Sequence, residues 1–216
     1  MRKMIFALAL LLPSFAFAAG SGYPLDKANI DLADNASLQN GAKLFMNYCL
    51  GCHSMKYQRY QRTFTDLGIP DELGQQYLQF TGEKVSDYIS RSMPEESAAV
   101  WFGAAPPDLT LVARVRGTDW LYTYLRTFYE DDSRPFGVNN KVFPDVGMPH
   151  VLAPLESSLT TEEYDKQVLD LVNFLEYSGE PARLDSERIG KWVLAFIVVL
   201  FIFVYLLKKD YWRDLH

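Results

Sequence analysis

Cys49-Leu50-Gly51-Cys52-His53 contains both cysteines of this 216-residue chain, and no other feature limits its fold as tightly. C-x-x-C-H is the attachment pattern for a c-type haem. Thiols at that spacing add to the two vinyl groups along one porphyrin edge. The next residue, His53, then lies under the iron with an imidazole nitrogen to donate. A chain built this way must wrap a flat apolar macrocycle. The other readings of the pair fit less well. A zinc site needs about four ligands, and only His150 and His216 remain as further nitrogens. A thioredoxin-like pair follows a strand in a βαβ pattern, whereas Leu38, Ala42, Phe45, Cys49 and Cys52 step at helical spacing. A disulfide across so small a loop would stabilise little.

The ends of the chain place that haem. Arg2 and Lys3 precede an apolar run from Met4 to Leu12, which Pro13 breaks, and Ala16-Phe17-Ala18 follows as a small-x-small cleavage site. Residues 1–18 are therefore expected to be a cleaved secretory signal, in keeping with a haem that is attached after export. Near the other end, Trp192 to Leu207 carries no charge. Extended back to Ile189 it rises about 28 Å as a helix, close to the hydrocarbon thickness of a bilayer. Trp192 at one end, and Tyr205, Tyr211 and Trp212 at the other, suit the two interfaces. The basic residues flanking this span nearly balance, so the signal decides the orientation. Residues 19–187 form a periplasmic haem domain, 188–207 the transmembrane helix and 208–216 a cytoplasmic tail, in a bacterial inner membrane.

The exported part is large enough for one domain with its own core. Losing Arg2 and Lys3 leaves 19 basic against 27 acidic residues, a formal charge of −8. An acidic exported surface argues against nucleic acid and suits a basic protein partner through electrostatic steering. Helical patterning is expected from about Ser37 (a possible cap) into the haem motif, near Lys84 to Ser92, from Thr118-Asp119 through Phe128, and after the capping-box sequence Thr160-Thr161-Glu162-Glu163. Pro- and Gly-rich connections lie at Gly103 to Asp108 and Ser133 to Pro154. No run of alternating strands is visible. The fold class is mainly α: a c-type cytochrome haem domain with long loops, plus one C-terminal transmembrane helix.

A second protein ligand makes a haem an electron carrier, and an open position makes it a binding or reaction site. Met55 is too close to His53 to cross the ring, and Met46 lies in the preceding helix. Met148 is the leading candidate, with Met93, His150 and an open position as alternatives. A thioether ligand raises the potential, as suits the oxidising side of a respiratory chain.

Several segments, in order along most of the chain, carry a resemblance. They are Cys49 to Met55 with Tyr57 and Tyr60, Pro106-Pro107-Asp108-Leu109-Thr110, Arg114-Val115-Arg116-Gly117, Phe143-Pro144 with Gly147-Met148-Pro149, and Glu180-Pro181 before the apolar span. Together they resemble the cytochrome c1 family, the haem c subunits of the cytochrome bc1 complex. Departures are a compact stretch before Pro106, Pro149-His150 after Met148, and no additional cysteine pair. The resemblance implies one covalent haem c, axial ligands His53 and Met148, a Pro107-containing loop packed on the haem edge, and Arg116 facing a propionate. It further implies a relay from the Rieske iron–sulfur protein to a soluble c-type cytochrome, with quinol oxidised at cytochrome b, in a complex that is dimeric across the family. On this reading the chain belongs to an oxidoreductase but is itself a carrier with no catalytic residue. The alternative is a membrane-tethered c-type shuttle or oxidase subunit outside that complex.

Overall fold

The computed structural model describes residues 22–82 and 84–213; the expected signal, residues 1–18, and the last three residues lie outside them. The elements in chain order are α1 (Asn35–Leu44), a π turn (Phe45–Cys49), β1 (Met55–Arg59), α2 (Tyr60–Asp66), α3 (Asp71–Leu78), β2 (Tyr88–Ile89) and α4 (Glu95–Phe102). Next come α5 (Val112–Arg116), α6 (Thr118–Arg126), β3 (Phe128–Glu130), β4 (Val138–Asn140), α7 (Ala153–Ser158), α8 (Thr161–Gly179) and α9 (Arg183–Tyr211). The mainly α class is as expected.

The core is organised by α1 lying against α8. Leu38 and Ala42 on one face of α1, and Phe45 continuing that face into the π turn, are buried, as their i, i+4, i+7 spacing requires. Gly41 lets the two backbones meet: a Cβ there would stand 2.0 Å from the Asp170 carbonyl oxygen. Beside that contact Asp170 is buried as a carboxylate, and it is fully paired. Its oxygens accept from the Ser37 hydroxyl at 2.6 Å, Asn40 Nδ2 at 2.9 Å and Lys166 Nζ at 2.8 Å. A buried charge is tolerated only with such partners. The α8 start is the expected capping box, with Thr160 Oγ1 accepting from the Glu163 amide and Glu163 Oε2 accepting from the Thr160 amide.

Two expectations are corrected. Asp34, not Ser37, caps α1: its carboxylate accepts from the Ser37 amide, which frees the Ser37 hydroxyl for Asp170. Lys84 to Ser92 is not helical. Val85, Tyr88 and Ile89 mimic helical spacing, but Asp87 folds back on Lys84, its Oδ2 accepting from the Lys84 amide and its own amide donating to the Lys84 carbonyl. Tyr88 and Ile89, both good strand formers, then pair antiparallel with β1, opposite Arg59 and Met55. A second two-stranded ladder joins β3 to β4, with Phe128 opposite Asn140 and Glu130 opposite Val138. The third expected helix appears as α6, with Leu121, Tyr124 and Leu125 buried.

The last helix, α9, begins at Arg183 and continues to Tyr211. It is the one helix among the described residues long and apolar enough to cross a membrane. None of its residues is buried within the chain, so its apolar surface is left for lipid or another subunit. Only Glu180 to Ala182 separate it from α8, and ion pairs flank the joint: Arg183 with Glu176 at 2.5 Å, and Arg114 with Glu180.

Candidate functional site

The π turn delivers the cysteines. Its wider winding, closed by the Leu50 amide on the Phe45 carbonyl at 3.0 Å, is a form seen mostly as single turns at functional sites. The chain then tightens, and the Cys52 and His53 amides both donate to the Cys49 carbonyl, at 3.1 and 2.8 Å. Both thiols are free, with Cys49 buried and Cys52 half-buried. Burial pushes the Cys49 thiol up to about 12, with a smaller contribution from Cys52, and burial also raises Cys52. A dithiol oxidoreductase needs the opposite shift. Among the described residues no group of three or more His, Cys, Asp or Glu side chains is placed to hold a metal ion.

His53 is buried, and its Nδ1 lies 2.7 Å from the Pro107 carbonyl. A carbonyl only accepts, so Nδ1 carries the proton and Nε2 keeps its lone pair. Burial, and more weakly the Arg91 charge, lower the His53 pKa against the opposing Pro107 hydrogen bond and Asp108 charge. The neutral imidazole, the metal-ligating form, is therefore favoured. Among the described residues no hydrogen bond reaches Nε2.

The loop that orients His53 is laced to the chain after it. The Leu109 amide donates to the Ser54 carbonyl at 2.9 Å, and the Lys56 amide to Asp108 Oδ2 at 2.7 Å. Arg91 closes the other side. Its amide donates to Ser54 Oγ, its Nε to the Met93 carbonyl and its Nη1 to the Pro106 carbonyl, at 2.9, 3.1 and 2.8 Å. Pro107 thus reaches His53 through its backbone carbonyl. Arg91, Ser54 and Asp108 are contributors that sequence reasoning missed. Asp108 was inside a motif already singled out. No local pattern pointed to Arg91.

Met148 is half-buried and packs against the same apolar core that contains Cys49. Its sulfur accepts from the buried Tyr124 hydroxyl at 3.4 Å. The loop carrying it is shaped by two buried asparagines. Asn140 Oδ1 accepts from the Val142 and Phe143 amides while its Nδ2 donates to the Tyr124 carbonyl, and Asn139 Oδ1 accepts from the Asp145 amide. Asp145 takes a φ of 63°, the left-handed conformation that Asp tolerates better than most residues. Arg116 stands at the end of α5. Gly117, at φ 87°, turns the chain into α6, a conformation that suits glycine alone. That turn folds the Arg116 guanidinium over Trp120, 5.0 Å from the ring centroid, and beside Phe143 at 5.6 Å. Trp120 stacks on Tyr124 at 4.8 Å. Arg116, Trp120, Tyr124, Phe143 and Met148 are thus one contiguous group, and among the described residues no carboxylate pairs with Arg116. His150 is occupied elsewhere. Its ring lies flat on Phe128 at 4.7 Å, and its Nε2 is 3.5 Å from both Glu156 Oε2 and the Tyr164 oxygen.

These residues fit a covalent haem: two free thiols on one turn, a neutral imidazole with one nitrogen committed and the other open, and apolar surroundings. Comparison with known proteins agrees. Residues 27–215 match the model of the Cytochrome C1 family. The chain is 50% identical over 244 aligned residues to a cytochrome c1 of Allochromatium vinosum, covering all of both chains. It is 43% identical to a Nitrosomonas europaea protein named ammonia monooxygenase gamma subunit, over all of this chain and 99% of that one. A mitochondrial cytochrome c1 heme protein of Neurospora crassa is 26% identical, over 83% of this chain and 62% of that relative.

Proposed function

Because this chain belongs to the cytochrome c1 family, the covalent haem c electron carriers of the bc1 complex, we propose that it accepts one electron from the Rieske iron–sulfur protein and passes it to a soluble c-type cytochrome. Haem c, held through Cys49 and Cys52, supplies the one-electron couple. The observation that carries the reading is the His53 ring, with Nδ1 on the Pro107 carbonyl and Nε2 open.

His53, through its imidazole nitrogen, and Met148, through its thioether sulfur, would hold the haem iron. Supporting Met148 are its soft sulfur, its place in the apolar core with Cys49, and the commitment of the rival His150 to Phe128 and Glu156. Two protein ligands exclude water and small molecules, so the chain carries electrons and makes no bonds. Arg116, steered by Trp120 and Phe143, is free to pair with a propionate. Pro107, whose carbonyl holds the His53 ring, would lie against the bound haem. Quinol oxidation belongs to cytochrome b, against which α9 packs in the membrane, and the complex is dimeric. After removal of residues 1–18, residues 19–187 stand in the periplasm of a bacterial cell, 188–207 cross the inner membrane and 208–216 end in the cytoplasm.

Met148→Leu tests the site. It should lower the potential, abolish the methionine–iron absorption band and admit carbon monoxide. An unmoved potential with the band retained would sink the ligand assignment. Purification in mild detergent tests the assembly: cytochrome b and a Rieske protein should travel with the chain, and their absence would favour a tethered shuttle outside the complex. The acidic surface makes reaction with a basic cytochrome slow as salt rises; a rate flat across ionic strength would remove that docking mode.

A further inference from the structure

The Pro106-Pro107 segment has a structural problem that Arg91 solves. Two successive prolines have no N–H to donate, so nothing in their own backbone can anchor them through an amide. Their carbonyls are instead held from outside. His53 Nδ1 binds the Pro107 carbonyl and Arg91 Nη1 binds the Pro106 carbonyl. The Arg91 side chain is only 9% exposed, unusual for an arginine. Each of its nitrogens has a partner, the third being Nη2 on Glu95 Oε2 at 3.1 Å. Glu95 is 69% exposed, so water screens the anion far more than the cation. The result is an incompletely neutralised positive charge hydrogen-bonded to the Pro106 carbonyl, one residue from the carbonyl that holds His53.

We infer that Arg91 is a positioning residue that clamps the Pro106-Pro107 segment so that its carbonyl fixes the His53 ring, and that its charge raises the reduction potential of the haem at Cys49 to His53. The inference rests on the haem c reading above. Outer partners of a ligating histidine set its orientation and basicity. A nearby cation disfavours the ferric state, which carries one more positive charge than the ferrous state.

The test is a potentiometric titration of the full-length chain in its detergent-solubilised complex. Wild type is compared with Arg91→Gln, Arg91→Lys and Glu95→Gln, after covalent haem is confirmed by a pyridine haemochrome spectrum. Arg91→Gln should lower the one-electron reduction constant roughly three- to tenfold, about 28–59 mV at 59 mV per decade. Arg91→Lys keeps the charge and should recover more than half of that change. Glu95→Gln removes the counter-charge and should move the potential the opposite way, by less. A merely structural Arg91 would reduce haem content or melting temperature and leave the potential of the loaded fraction alone. Fully loaded Arg91→Gln with a wild-type potential overturns the inference. If that variant does not load, an unmoved potential in Glu95→Gln overturns it. A wild-type chain without covalent haem would instead refute the underlying haem assignment.

Discussion

At Tyr124 a buried phenol donates its proton to the Met148 sulfur, an arrangement that affects both folding and electronics. With Met148 as the proposed iron ligand, the hydrogen bond would draw density from the sulfur and weaken its donation to ferric iron more than to ferrous. Tyr124→Phe should therefore lower the potential, by about 28–59 mV if the reduction constant falls three- to tenfold. It should cost about 1 kcal/mol of stability, read from chemical denaturation. An unchanged potential would mean that the sulfur does not act on the iron. At this scale the sequence was readable where chemistry is contiguous: Cys49, Cys52 and His53 announce themselves by spacing. Arg91 and Tyr124 do not, because each acts through a partner distant in the chain, Pro106 and Met148 respectively. An arginine or a tyrosine taken alone is an ordinary surface or core residue.

Among the elements, the α1–α8 crossing and the β3–β4 hairpin hold the two sides of the site. Gly41→Ala gains up to about 1 kcal/mol in helix propensity but drives a methyl group into the Asp170 carbonyl and Phe174. Backbone cannot yield as a flexible side chain does, so a net loss of about 1–3 kcal/mol is expected, measured as a lower denaturation midpoint. The hairpin makes a different prediction. Asn140→Ala removes the acceptor for the Val142 and Phe143 amides and the donor to Tyr124. The Met148 loop should loosen, with a weaker methionine–iron band and faster carbon monoxide binding at little change in haem content. Long helices with clear starts, α6 and α8, were legible from periodicity and capping. Helices of one or two turns, such as α2, α5 and α7, show too few residues to establish a period. Residues 84–92 misled because spacing of three and four arises by chance in so short a stretch. Tertiary pairing with β1 then overrode it.

For the whole molecule, alkali should be a vulnerable direction. Tyr124, Tyr164 and Tyr177 all have pKa values raised above 10, chiefly by burial. A phenol whose folded pKa is raised keeps its full contribution below its unfolded value of about 10 and loses it as pH rises beyond. Unfolding followed by circular dichroism should set in as pH rises beyond about 10. Tyr177→Phe should shift the transition to higher pH; an unmoved alkaline midpoint in that variant would contradict this account. The burial of Cys49 has a consequence of another kind, in the order of events during maturation. The sulfur sits in the completed core, at the end of the π turn. An enzyme joining it to a vinyl group needs it uncovered, so thioether formation must come before the helices close. Folding and ligation are then competitors in time, and a chain that folds too early becomes a dead end. A stabilised α1–α8 pair would, on this account, lower the yield of mature protein while improving the survival of each molecule that matures.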